Sequence, residues 1–245
     1  MTALYDTIGK SYRDFRRPDS RIAAMILDAL GEAGTIVNIG AGAGSYEPRD
    51  RDVVAVEPST TMIGQRLPNA APVVRASALN LPFRDNTFDG ALAIFTVHHW
   101  PDQMRGLAEM RRVAARAVIL TWEPVEGASW LTRDYFPEIL ERDRHLFPRA
   151  ADLFGRAFAH LRIEPVPVPH DCSDGFLEAY WRRPEAYLDP GVRGAISPFA
   201  TMRLDSGLER LRRDLEDGTW RRRNGHLLSE TERDLGYRLV IGSRN

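Results

Sequence analysis

Ile36-Val37-Asn38-Ile39 runs directly into Gly40-Ala41-Gly42-Ala43-Gly44, a short apolar strand followed by glycine at every second position. Glycine lets a chain turn sharply and lets backbone approach a ligand with no side chain between them. A strand leaving into such a turn belongs at the carboxyl edge of an open parallel sheet, where nucleotide-type ligands bind. Two common phosphate-binding patterns are disfavoured. The dinucleotide motif G-x-G-x-x-G needs glycine at 45, and Ser45 stands there. Gly9-Lys10-Ser11 matches only the tail of a P-loop, with Leu4 where the first glycine belongs and no strand ahead of it.

The surrounding pattern supports the same architecture. A helix is expected over residues 3–16, with Tyr5, Ile8, Tyr12 and Phe15 at helical spacing, and a second is expected to start at Asp19 or Ser20 and run through Leu30. Short apolar strands are expected at 35–39, 52–56, 72–75, 89–96 and 117–121, with helices after Glu57-Pro58-Ser59 and over 102–114. Alternating strands and helices predict a doubly wound α/β sheet. After Trp122 the aromatics increase: residues 128–150 and most of 174–235 read as helical, and 162–168 and 237–243 as strands. The expectation is one domain. Its core is about 20–122, 160–170 and 236–244, under a helical cap from 1–18, 128–150 and 174–228.

Charge and cysteine content remove several function classes. Net charge is −1, so no global attraction draws the chain to nucleic acid or to an anionic membrane. Lys10 is the only lysine, and Cys172 the only cysteine, which excludes an intramolecular disulfide and a thiolate metal cluster. The opening Met1-Thr2-Ala3-Leu4-Tyr5-Asp6 lacks the basic and apolar regions of a signal peptide, so a cytoplasmic location is expected. No apolar run approaches the ~20 residues of a membrane span.

Glu57 ends the second strand, where a carboxylate can accept both hydroxyls of a ribose held over the glycine turn. Five segments in order then carry a resemblance: residues 36–44, Val53 to Ser59, Leu81 to Asp89, Val97-His98-His99-Trp100, and Arg111 to Ala114. The chain resembles the class I S-adenosylmethionine-dependent methyltransferases, in the group with the small-molecule type 11 domain. The resemblance implies a Rossmann-like, mostly parallel seven-stranded sheet whose last strand is antiparallel. It implies S-adenosylmethionine as cofactor, with Gly40, Ala41 and Gly42 at its methionine portion and Glu57, followed by Pro58, on the ribose. Ser77, Ala78 and Leu79 would lie along the adenine, Phe95 and Thr96 behind the sulfonium, and Tyr12 and Arg16 over the carboxylate. The family usually has an acid at position 38 and often another at 77. Here Asn38 is expected to orient the loop through hydrogen bonds, and Ser77 to accept one.

His98 and His99 follow the fourth strand and are the candidate general bases, His99 ahead of His98, since an imidazole titrating near ~6.5 suits proton abstraction at neutral pH. Adjacent histidines rarely share one ion, so no metal site is expected. Trp130, Tyr135, Tyr180 and Trp181 of the cap, with Asp171 beyond the sixth strand, are the candidate substrate residues. The expected enzyme methylates a small organic molecule, as a monomer or homodimer, with no nucleic-acid or membrane partner. The alternatives are a non-catalytic binder of adenosine-type ligands and an NAD-dependent oxidoreductase.

Overall fold

The computed structural model describes residues 12–125 and 127–243. Its strands are β1 Thr35–Ile39, β2 Asp52–Val56, β3 Val73–Val74, β4 Phe88–Ile94, β5 Ala114–Trp122, β6 His160–Pro165, β7 Val168–Pro169, β8 Glu232–Arg233 and β9 Tyr237–Ser243. Seven of them form one sheet in the order β3-β2-β1-β4-β5-β9-β6. The pairs from β3 through β5 are parallel, while β9 runs antiparallel to both β5 and β6. This is the mostly parallel, doubly wound sheet with a reversed last strand. β7 and β8 pair separately.

The helices are α1 Tyr12–Phe15, α2 Ser20–Leu30, α3 Thr60–Gly64, α4 Gln103–Val113, α5 Pro137–Leu146, α6 Ala150–Phe154, α7 Pro190–Gly194, α8 Ser197–Thr201, α9 Asp205–Glu216 and α10 Thr219–Asn224. Of the helix expected over 3–16, residues 3–11 and the Tyr12 side chain lie outside the described residues. Asp19 caps α2 by accepting a 3.0 Å bond from the Arg21 N–H. Its buried Ile22, Ile26 and Leu30 recur every fourth residue and form one stripe.

Because successive strand residues point to opposite faces, the sheet builds two cores. Ile36, Leu92, Val118 and Leu239 join the α2 stripe on one side; Val37, Ala91, Ile119 and Val240 join Leu107 and Met110 of α4 and Phe154 of α6 on the other. The segments after β5 pack mainly on the α2 side, where Trp130, Tyr187, Trp220 and Phe136 belong to the same core cluster.

Two expected elements differ in detail. The helix expected over 128–150 is interrupted at Phe136-Pro137, with a π turn at Leu131–Tyr135 before α5. The strand expected over 162–168 ends at Pro165 and resumes only as Val168–Pro169, because proline supplies no N–H for a ladder.

Candidate active site at the carboxyl edge of the sheet

The glycine turn is held against the end of β2. Gly40 and Ala41 both donate backbone bonds to the Val56 carbonyl, at 2.8 and 3.0 Å. Gly40 has φ +70°, and a Cβ there would stand 2.0 Å from the Thr96 hydroxyl oxygen. Only glycine lets the turn lie this close to the exit of β4. Glu57, 7% exposed, accepts from the Gly42 N–H through one carboxylate oxygen and from the Ser59 N–H through the other, both at 2.8 Å. Its carboxylate therefore sits fixed beside the turn.

Asn38 acts beneath the loop. Its amide donates to Glu47 at 3.2 Å, and Glu47 forms a buried ion pair with Arg66, which donates to the Gly42 carbonyl at 3.2 Å. The loop-orienting role expected of Asn38 has this physical form.

A cavity of about 540 Å³ opens at this edge, within the range of small-molecule sites. One end is lined by Gly40, Gly42, Glu57, Pro58, Ser77, Ala78 and Leu79, and the middle by Arg16, Phe95, Thr96, His98 and His99. Asn38 and Ala41 are buried behind this lining. Phe95 carries φ +52°, a conformation rare for a bulky residue, and packs against Phe176 and Tyr237 at 5.2 and 5.6 Å between ring centres. Arg16 lies 5.6 Å over the Phe95 ring and is ion-paired with buried Asp174, which also accepts from the Tyr46 hydroxyl at 3.0 Å. That network ties α1 to the segment after β7.

His98 and His99 form a 3₁₀ turn with Val97, separated from the end of β4 by Phe95 and Thr96, their ring centres 3.8 Å apart, and His98 stacks on Phe147 at 4.3 Å. Burial, then the neighbouring His99 and Arg142, hold His98 well below the usual imidazole range. Burial and Arg142 bring His99 down to about 4. Both rings are neutral at neutral pH. The Nδ1 atom of His98 is buried without a hydrogen-bond partner.

The far end of the cavity is apolar and aromatic, with Trp100, Trp122, Leu146, Phe147, Phe176, Leu177 and Tyr237 on its walls and Ile196 to Pro198 and Thr201 from the α8 region. Arg142 and Asp143 of α5 join it. Arg142 bonds Asp143 at 2.6 Å and the Thr201 hydroxyl at 3.0 Å, while burial pushes the Asp143 carboxyl upward.

None of the five expected substrate residues lines this cavity. Trp130 and Trp181 are buried in the core cluster on the α2 side: the Trp130 indole donates to the Trp181 carbonyl at 2.8 Å, and the Trp181 indole to the Val168 carbonyl at 3.1 Å. The Tyr135 hydroxyl bonds Asp214 at 3.0 Å, Tyr180 lies under the Arg183 guanidinium at 4.8 Å, and exposed Asp171 pairs with Arg21 at 2.8 Å. Trp130, Tyr135 and Trp181 instead fill the core on the α2 side, the ordinary place of aromatics at helical spacing. Lining residues not named from the sequence include Trp122, Arg142, Asp143, Leu177, Ile196 and Tyr237. Register carried a signal for two of them, since Trp122 ends β5 and stands opposite Tyr237, which starts antiparallel β9. Both therefore reach the carboxyl edge.

A reversed seventh strand, a glycine turn after β1 and an acid at the end of β2 together define a Rossmann-like enzyme built for an adenosine-bearing cofactor. Comparison with known proteins makes this specific. A family model described as a methyltransferase domain matches residues 37–120. The chain is similar to a solved structure from Anabaena variabilis, a protein with a proposed methyltransferase role in an antibiotic biosynthesis pathway. The two are 34% identical with a TM-score of 0.85, over 94% of this chain and 99% of that one. It is also similar to the tRNA (carboxymethyluridine(34)-5-O)-methyltransferase of Schizosaccharomyces pombe, at 27% identity over 60% of this chain and 70% of that protein. A third relative is the demethylmenaquinone methyltransferase of Corynebacterium urealyticum, at 28% identity, where the match spans 46% of this chain and 54% of the relative. The chain belongs to the class I S-adenosylmethionine-dependent methyltransferases. Methyltransferase activity and S-adenosylmethionine thus replace the NAD and non-catalytic alternatives.

The residues present fit that cofactor. Gly40, Gly42, the fixed Glu57 carboxylate and Ser77 to Leu79 line the same cavity. Among the described residues, no helix is long and apolar enough to cross a membrane.

Proposed function

We propose that the chain methylates a small organic molecule held in the aromatic end of the cavity, with His98 and His99 beside the reacting centre. The carrying observation is continuity: the same cavity extends from Gly40 and Glu57 to Phe147, Leu177 and Tyr237. Gly40, Gly42, Glu57 and Ser77 to Leu79 would hold S-adenosylmethionine, which supplies an activated methyl group. The protein's task is then to align the acceptor, exclude water and remove a proton where the acceptor carries one.

The tRNA-acting relative raises a second acceptor class. An apolar chamber and a net charge of −1 favour the small molecule, because nucleic-acid binding depends on cationic contacts to phosphate. Release of S-adenosylhomocysteine with a library of small organic acceptors, run beside bulk tRNA, tests this. Turnover is expected with members of the library. Methyl incorporation into tRNA with none into the library would overturn the reading.

A further inference from the structure

We propose that the acceptor is a flat, largely apolar molecule methylated on an acidic hydroxyl, of phenol or enol type, and that an ammonium-bearing acceptor is excluded. This rests on the methyltransferase reading above and concerns the acceptor end of the same cavity.

Three observations carry it. The first is shape. Trp122 meets Phe147 edge-on at 5.5 Å, and Phe176 lies 4.5 Å from Tyr237, so the chamber is walled by aromatic rings suited to a flat guest.

The second is charge. The acids among the described lining residues are Glu57, at the glycine turn, and Asp143, already bonded to Arg142. An ammonium group would enter beside the Arg142–Asp143 pair, whose carboxylate is already engaged, and beside a cationic methyl donor, with no uncommitted carboxylate among the described lining residues to receive it. A buried charge without a partner is strongly disfavoured. A hydroxyl that ionises gains from the same field.

The third is the histidine pair. With Nδ1 of His98 buried, the ring meets the cavity through its other edge, next to His99. Both imidazoles stay unprotonated near neutral pH and are weak bases. A weak base is matched to an acceptor that surrenders its proton readily. In the step, the acceptor oxygen attacks the methyl carbon; the O–C bond forms as the S–C bond breaks, and its electron pair stays on sulfur. The hydroxyl proton passes to an imidazole nitrogen of the pair and from there to water.

The test uses the full chain with S-adenosylhomocysteine bound, titrated in a calorimeter with 2-naphthol and with 2-(aminomethyl)naphthalene. A parallel turnover assay uses S-adenosylmethionine and the same two probes. The naphthol is expected to bind at least about tenfold more tightly and to be the one methylated. Arg142→Gln is expected to narrow that ratio while leaving S-adenosylhomocysteine affinity unchanged, which also reports that the variant is folded. Equal or tighter amine binding, N-methylation, absence of naphthol binding, or a ratio unmoved by Arg142→Gln would each overturn the proposal. Failure of the wild-type chain to bind either cofactor form would instead sink the underlying methyltransferase reading.

Discussion

Replacing His99 by glutamine should flatten the acid side of the protein's stability profile, and the size of the effect follows from its burial. The imidazole falls from an ordinary 6.5 to about 4 in the folded chain, because burial and Arg142 oppose its charge. A histidine whose folded pKa is depressed is protonated first in the unfolded state. Stability is therefore intact above pH 6.5 and declines as pH falls toward 4, where the folded protein also takes up the proton. From about pH 7.5 to about pH 5.5, the unfolded chain gains roughly 1.3 kcal/mol from protonating this one residue. Urea unfolding at those two pH values should show wild type losing about 1.3 kcal/mol more than His99→Gln. Glu178, pushed up to about 7 by burial, titrates in the same range but does so in both proteins and cancels. Equal pH dependence in wild type and variant would refute the claim that His99 is buried neutral, and with it the weak-base argument for the acceptor.

Glu57→Gln keeps the shape but puts an amide where a backbone N–H now donates, at Gly42 or at Ser59. It should weaken S-adenosylmethionine binding by about 1–3 kcal/mol with an unchanged far-ultraviolet spectrum, and calorimetry showing wild-type affinity would remove the residue from the site. Gly40→Ala forces a left-handed backbone, worth about 1–2 kcal/mol, and drives a methyl into Thr96. Thermal unfolding should show a lower Tm together with lost cofactor binding; a fully stable, cofactor-binding variant would mean the turn relaxes freely.

The parts of the site legible in sequence are those written locally. The turn 40–42 and Glu57 follow directly on a strand, Ser77 to Leu79 and His98-His99 come within five residues of one, and strand ends are fixed by the parallel sheet. The aromatic end of the cavity is written otherwise. It comes from α5, residues 176–177, the α8 region and the ends of β5 and β9, which meet only after the cap has folded. Helical spacing marks Trp130 and Phe147 alike as core aromatics, and nothing in that spacing tells which one is fully enclosed and which also lines the cavity. Trp130 is enclosed by Tyr135, Tyr187 and Trp220, whereas Phe147 faces His98 and the cavity. Arg142 and Asp143 gave no sign at all, since an adjacent Arg-Asp on a helix is ordinary surface sequence.

β9 follows β5 and β6 in the chain yet lies between them in the sheet. During synthesis, each of those earlier strands must wait with an edge unpaired until β9, residues 237–243, has been made. Unpaired strand edges recruit other strands, and pairings distant in sequence form slowly. Folding of the nascent chain is thus most exposed to aggregation just before β9 arrives. The same late insertion brings Tyr237 beside Trp122, so the aromatic end of the cavity acquires this wall only at the moment the sheet closes.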